Sequence, residues 1–308
     1  MSASPARPQR PMLAVVLMLS ATLCFALLDV TAKHLAKTFS VTMLAWARYA
    51  THLLIMIVVF GPALRSGLVR TRRPVALSLR GLILAVTTIC FMAALQIMPL
   101  AESTAIAFTA PLLVALASGP ILGERVGLGR WLAIFTGFIG IMLIAHVGVS
   151  NTRIPLLGIV YALAAALCLA VYQLHTRLLS STETTITMLF YTALWGTIAL
   201  SCVLPWVWQE TRINWEQGLL IVLMGLTGGG GHLLLTHAFR HATASAISPL
   251  SYVQLVWATL LGWLVFDYLP DLRSSLGIAF VASAGVLVVV TERASASVTK
   301  PSRPDKQC

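Results

Sequence analysis

The chain has 308 residues, 58% of them hydrophobic and only 10% charged, with a mean hydropathy of +0.89. A soluble domain of that length needs far more polar cover, so the composition excludes one. The net charge of +11 would suit a nucleic-acid binder, but the cations lie in short links beside apolar runs, where they signal topology instead.

A hydrocarbon core about 30 Å thick takes roughly 20 mainly apolar helical residues to cross. In chain order, the stretches 12–36, 41–62, 79–98, 102–122, 129–148, 154–178, 185–208, 215–239, 243–266 and 273–291 meet that length. The expected fold is an all-α polytopic membrane protein of ten transmembrane helices. Residues 1–11 form an N-terminal tail, 12–148 a first five-helix repeat, 154–292 a second, and 293–308 a disordered tail rich in Ser, Pro and Lys. The tail before the first run is basic and Pro-rich, and no small-residue cleavage pattern follows, so that run is expected to be a retained span. Cys24, Cys90, Cys168 and Cys202 fall within spans without metal-ligand spacing and are expected to be small packing residues.

Ten spans put both termini on one side, and the cations choose it. Arg7, Arg10, Arg65, Arg70, Arg72, Arg73, Arg80, Arg125, Arg130, Arg177, Arg240, Arg293, Lys300, Arg303 and Lys306 fall on one face, fifteen in all, against Lys33, Lys37, Arg153, Arg212 and Arg273 on the other. The positive-inside rule makes the first face, and so both termini, cytoplasmic.

The halves repeat. Under a shift of 144 residues, Val16, Leu19, Ala21, Leu23, Cys24, Ala26 and Leu35 meet Val160, Leu163, Ala165, Leu167, Cys168, Ala170 and Leu179. A shift of 143 lays Ala101, Leu112, Ala115 and Gly119 on Ala244, Leu255, Ala258 and Gly262, and Glu124 on Asp267. Five spans per repeat is an odd number, so the second repeat enters the membrane inverted. Inverted repeats are a signature of secondary transporters, with the substrate site near midplane between them.

The stretch Pro99-Leu100-Ala101-Glu102-Ser103-Thr104, through Thr109-Ala110-Pro111 to Gly123-Glu124-Arg125, resembles the fourth-span region of the drug/metabolite transporter superfamily, in its EamA-like branch. Ser248-Pro249-Leu250-Ser251-Tyr252 and Phe266-Asp267 resemble the matching region of the second repeat, although Asp267 stands where a Gly-Glu ending is more usual. Asp29, Lys33 and Trp46-Ala47-Arg48-Tyr49 resemble the subgroup that holds riboflavin, S-adenosylmethionine and metallophore carriers. The resemblance covers the whole chain and implies a ten-helix fold around a central cavity, without ATP hydrolysis.

Ionisable residues inside a bilayer are costly and are functional candidates by default. Asp29 and Arg48 each lie about 10 Å below the external surface, at 1.5 Å per residue, so an ion pair across the first helical hairpin is geometrically open, either joining the two helices or serving substrate or proton coupling. Lys33, one turn from Asp29, is the rival partner. Glu102 opens span four, either as a charge on the helix N-terminus or as a cation or proton acceptor beside Asp29 and Arg48. Tyr252, Gln254 and Trp257 either line a cavity or form a packed helix face. His232 and His237 are five apart, which does not suit a metal pair on one face. Gly228-Gly229-Gly230-Gly231 serves close helix contact or local unwinding.

No nucleotide-binding, HExxH or Ser–His–Asp pattern is present in the sequence. Neither a catalytic residue nor a metal, cofactor or nucleic-acid partner is expected. The expected partners are a small-molecule substrate, a coupling proton and the lipid bilayer. The subgroup resemblance implies a secondary-active inner-membrane transporter of a small polar organic metabolite, exporting an amino-acid-like or metallophore-type compound. The same resemblance allows uptake of riboflavin or S-adenosylmethionine, and a membrane-embedded enzyme is the distant alternative.

Overall fold

The structure, a computed structural model, describes residues 11–64, 69–122, 128–146, 154–179, 182–207, 212–241 and 248–298. The described residues are helical, as a chain surrounded by lipid must be when it cannot close a barrel, because a helix satisfies its backbone polar groups internally. The helices are α1 (Pro11–Leu35), α2 (Val41–Ile55), α3 (Gly61–Leu64), α4 (Pro74–Ile97), α5 (Leu100–Ala107), α6 (Ala110–Leu122), α7 (Leu128–Ile144), α8 (Leu156–Leu179), α9 (Thr185–Val207), α10 (Trp215–His241), α11 (Val253–Phe266) and α12 (Leu272–Val298). A π-helical turn at Met56–Phe60 joins α2 to α3. Seven of the described helical stretches are long and apolar enough to cross a membrane, and three shorter apolar ones lie at Leu100–Val114, Trp131–Ile144 and Leu250–Phe266.

Several expectations need correction. Span three starts at Pro74 rather than 79, because proline suits the first helical turn, and this draws Arg80 out of the loop and into the helix. The expected continuous fourth span is two helices. Pro111 has no N–H for the Ala107 carbonyl, so the chain turns at Phe108–Thr109, where the Thr109 hydroxyl donates to the Ile106 carbonyl at 2.7 Å. In the expected ninth span, of which residues 243–247 lie outside the described ones, a 3₁₀ segment at Ser248–Tyr252 precedes α11. At the C-terminal end, α12 runs to Val298, past the expected boundary at 292. Residues 1–10 and 299–308, and with them most of the two expected tails, lie outside the described residues, as does the boundary residue Glu124.

The packing follows the 144-residue offset. α1 packs on α10, and α8, its counterpart, packs on α4. A Cβ on Gly81 of α4 would stand 3.1 Å from Trp195 of α9, and one on Gly225 of α10 would stand 2.5 Å from the Cβ of Thr51 on α2. Adding 144 to Gly81 and Thr51 gives Gly225 and Trp195, so one interface occurs twice. Between α7 and α12 the contact is mutual. A Cβ on Gly140 would lie 2.7 Å from the Gly277 carbonyl oxygen, and a Cβ on Gly277 equally close to that of Gly140. The glycine run of α10 does not unwind. α10 is continuous, with Gly228 against Leu28 and Arg48, Gly229 against His52 and Gly231 against Phe25.

A Cβ on Gly230 meets nothing within 4 Å. Gly230→Ala should therefore keep or raise the melting temperature of the purified protein, since alanine is better than glycine inside a helix by about 0.5–1 kcal/mol. Gly225→Ala should lower it, because a methyl group forced into a filled interface costs roughly 1–3 kcal/mol. Equal melting of the two variants would contradict the packing.

At the bundle end where α7 finishes and α12 begins, His146 Nε2 meets Asp271 Oδ2 at 2.7 Å. The bond to the Ile144 carbonyl raises the His146 pKa, burial opposes this, and Asp271 raises it further. The backbone N–H of Ser274 pulls the Asp271 pKa down, burial opposes this weakly, and His146 also lowers it. The His146 contribution is complete below its unfolded value of about 6.5 and fades as pH rises through its raised pKa. The Asp271 contribution is complete above about 3.9 and fades as pH falls through its lowered pKa. Thermal melts of wild type and His146→Gln should differ most near pH 5 and converge at alkaline pH. The gap should be small, since half-exposed pairs contribute about 1 kcal/mol at most. A gap that widens with pH would rule the pair out.

Candidate functional site

α4 serves as a ruler for the polar groups of the bundle. At 1.5 Å per residue, Arg80 lies about 9 Å from its start, Thr88 about 21 Å, and the carbonyls of Leu95 and Met98 at its far end. Each level holds a charged group.

At the middle level, Arg48 Nη1 donates to Thr88 Oγ1 at 3.1 Å, and the same hydroxyl bonds the Tyr49 phenol at 2.8 Å. Asp29 is buried, and its Oδ2 accepts from Gln254 Nε2 on α11 at 3.1 Å. The Asp29–Arg48 ion pair that these depths leave open does not form, because α1 and α2 both pack on α10 rather than on each other, with Leu28 and Arg48 both against Gly228. The two charges stay near enough to feel each other's field, yet each is held by a neutral partner.

Three buried donor or acceptor atoms close to this level have no hydrogen-bond partner: His52 Nε2, Trp257 Nε1 and the Tyr252 hydroxyl. Buried polar atoms are rarely left so, and each needs an explanation. Tyr252 is also a packing residue, edge-on to Phe108 at 5.3 Å and lodged against Gly285. His232 stacks edge-on to Phe25 at 5.0 Å. His237 is exposed, and among the described residues no group of three His, Cys, Asp or Glu side chains could hold a metal.

Lys33 does not reach Asp29 either. Its Nζ donates to the carbonyls of Leu95 at 2.6 Å and Met98 at 2.5 Å and lies 5.5 Å from the centroid of the Phe266 ring. These carbonyls end α4, where a cation meets the negative pole of the helix. A cavity of about 260 Å³ opens here, lined by Lys33, Gln96, Met98, Gly262, Phe266 and Tyr268. Glu102 lies beside it, fully buried in the first turn of α5, with Oε1 accepting from the Tyr268 phenol at 2.9 Å and Oε2 unpartnered. The structure thus sets Glu102 in the first turn of α5 with Tyr268 and near Lys33, in keeping with the helix N-terminal reading and apart from Asp29 and Arg48.

At the third level stands Arg80, which was counted with the loop cations and is 3% exposed. It is fixed by Thr176, Met188, Thr192 and Tyr172. The proline at the start of α4 is the one sequence signal that could have placed it inside. Most of these polar bonds cross between the two halves: Asp29 to Gln254, Glu102 to Tyr268, Arg80 to α8 and α9, and Trp46 to Ser201 at 2.8 Å.

Comparison with known proteins matches this architecture. The model of the EamA-like transporter family fits residues 12–146 and again 156–291. The riboflavin transporter of Vibrio cholerae is 30% identical over 96% of this chain and 97% of its own length. The S-adenosylmethionine uptake transporter of Rickettsia prowazekii is 28% identical over 87% and 90%. The pseudopaline exporter CntI of Pseudomonas aeruginosa is 26% identical over 90% and 93%. One crystal structure superposes with a TM-score of 0.64 over 93% of this chain and 99% of its own, at 18% identity, which speaks to the fold alone. These relatives are transporters rather than enzymes, of a kind that resides in the bacterial inner membrane. The chain belongs to the EamA-like transporter family within the drug/metabolite transporter superfamily, as a multi-pass inner-membrane protein.

Proposed function

We propose that this protein is a secondary-active exporter of a small polar organic metabolite of amino-acid-like or metallophore type. In this reading it has ten spans in two inverted five-helix repeats, 12–148 and 154–292, with both termini cytoplasmic and a proton as coupling ion. The observation that carries the reading is the middle level of the bundle. Asp29 and Arg48 are opposite charges at similar depth, and neither neutralises the other. A carboxylate and a guanidinium left for a ligand suit the ammonium and carboxylate of a zwitterion. The unpartnered His52 Nε2 and the unpartnered Trp257 indole N–H add polar contacts for such a ligand. Glu102, buried behind the cavity wall and bonded to the cavity-lining Tyr268, is the candidate proton carrier.

Uptake of riboflavin or S-adenosylmethionine is the second reading, favoured by the relatives that carry those names. Metabolite profiling of cells and medium, with and without the protein, separates the two. Export predicts a compound that accumulates in the medium only when the protein is present. A cofactor that enters cells instead, with nothing new outside, would favour uptake.

Mutation of Asp29 and Arg48 tests the middle level. Without an ion pair, the stability changes of Asp29→Asn and Arg48→Gln should add, and the double variant should not recover what the single ones lose. Each should abolish transport of the profiled compound while the protein still reaches the membrane. Full transport by the double variant would remove both residues from the site. Lys33→Met should leave the melting effect of Asp29→Asn unchanged, since Lys33 is bound elsewhere.

A further inference from the structure

Arg80 offers its guanidinium to a cage of neutral oxygens. Its Nε donates to Thr176 Oγ1 at 2.8 Å, Nη1 to Thr192 Oγ1 at 2.6 Å and to the Met188 carbonyl at 3.0 Å, and Nη2 to the Tyr172 phenol at 2.5 Å. The guanidinium also lies 4.3 Å from the centroid of the Tyr172 ring. Among the described residues, no carboxylate stands within 4.0 Å of it. The two carboxyls buried in the bundle are engaged elsewhere, Asp29 by Gln254 and Glu102 by Tyr268.

The cage is built to accept. The hydroxyl of Thr176 spends its proton on the Tyr172 carbonyl and that of Thr192 on the Met188 carbonyl, so each turns lone pairs to Arg80. Such acceptors solvate the cation but leave its charge without a counter-ion. A buried charge of that kind is expensive, and a carboxylate meets it with bidentate geometry that hydroxyls do not match. The Tyr172 phenol has no acceptor for its own proton among the described residues, so it can donate to an incoming anion.

The position follows the symmetry of the packing. Under the 144-residue offset Arg48 corresponds to Thr192, a member of the Arg80 cage, and Arg80 corresponds to Met224. The α2–α10 interface carries Arg48 and its twin, the α4–α9 interface, carries Arg80. Eight residues of α4 separate Arg80 from Thr88, the partner of Arg48, which is about 12 Å along the helix. Tyr49 bonds the same Thr88 hydroxyl as Arg48.

We propose that Arg80 is a second anion subsite, which takes a carboxylate of the transported compound when the half of the bundle around α4, α8 and α9 opens. The compound then carries an acidic group beyond its amino-acid end, with the two acidic groups set far enough apart to engage Arg48 and Arg80. This rests on the transporter reading above and narrows its substrate class to amino acids bearing a further, distant carboxylate. It disfavours cationic and neutral cargo.

The test is binding to the purified full chain in detergent, read as thermal stabilisation and as Kd. The probes are L-2-aminosuberate, γ-glutamylglutamate and L-glutamate, each beside its ω-amide, with S-adenosylmethionine as the cationic control. Wild type should bind at least one of the longer diacids better than its amide. In Arg80→Gln that preference should fall by about tenfold or more, while amide binding stays the same. Arg80→Lys, which keeps the charge but loses the fork, should recover part of it. A purely structural clasp would shift the melting of the unliganded variants and leave the ratio of diacid to amide untouched, and that result overturns the proposal. So does a wild type that prefers no diacid of the panel. S-adenosylmethionine bound equally by wild type and Arg80→Gln, without diacid preference, overturns it while leaving the chain a transporter.

Discussion

Inside a bilayer no water is at hand, so a polar side chain must be answered by another part of the protein. In this bundle the answers come mainly from the opposite half of the chain. Gln254 holds Asp29, Tyr268 holds Glu102, and the α8–α9 pair holds Arg80. These bonds serve as both cohesion and constraint. Removing one partner leaves a buried group alone, at about 1–3 kcal/mol and more for a charge. Rigid-body movement of one half against the other has to exchange these same bonds, so the residues that tie the halves are those a ligand can compete with.

Small residues set the second constraint. Lipid tails are as apolar as leucine, so helices in a membrane associate through close packing rather than a hydrophobic drive. Gly81 against Trp195 and Gly225 against Thr51 are one solution used twice, and Gly140 against Gly277 joins α7 of the first half to α12 of the second. Interfaces of bare backbone present few interlocking side chains along the contact. The same closeness brings Arg48 to Gly228, so packing of α10 decides where the guanidinium points.

Hydropathy made the helical class and most span boundaries legible, because a 20-residue apolar run has few other uses in a chain this poor in charge. The offset of 144 residues was legible too, and it reappears as duplicated glycine contacts. Pairing was not. Counting from span ends gives Asp29 and Arg48 a depth, but depth along an axis says nothing about which helix lies alongside. α10, nearly two hundred residues away in sequence from α1, takes the place that a simple hairpin would give to α2. Arg80 was misplaced for a different reason. Its neighbours Arg70, Arg72 and Arg73 form a loop signal strong enough to absorb it, and the helix start at Pro74 is a local cue that hydropathy averages away.

In the fourth helix of the first half Pro111 breaks the ladder between α5 and α6, and in the second half Pro249 sits in the 3₁₀ segment that leads into α11. A broken helix gives a carrier a place to bend without melting a full span. On one side of the first break lies α5, with Glu102 at its start against Tyr268. On the far side of the second lies α11, with Gln254 on Asp29. Bending at either proline would move a carboxyl relative to its partner. The charge of Asp29 is thereby tied to the shape of α11, and that of Glu102 to the segment that follows it. The bonds that hold the halves together are thus the same ones that any bend at these segments has to strain.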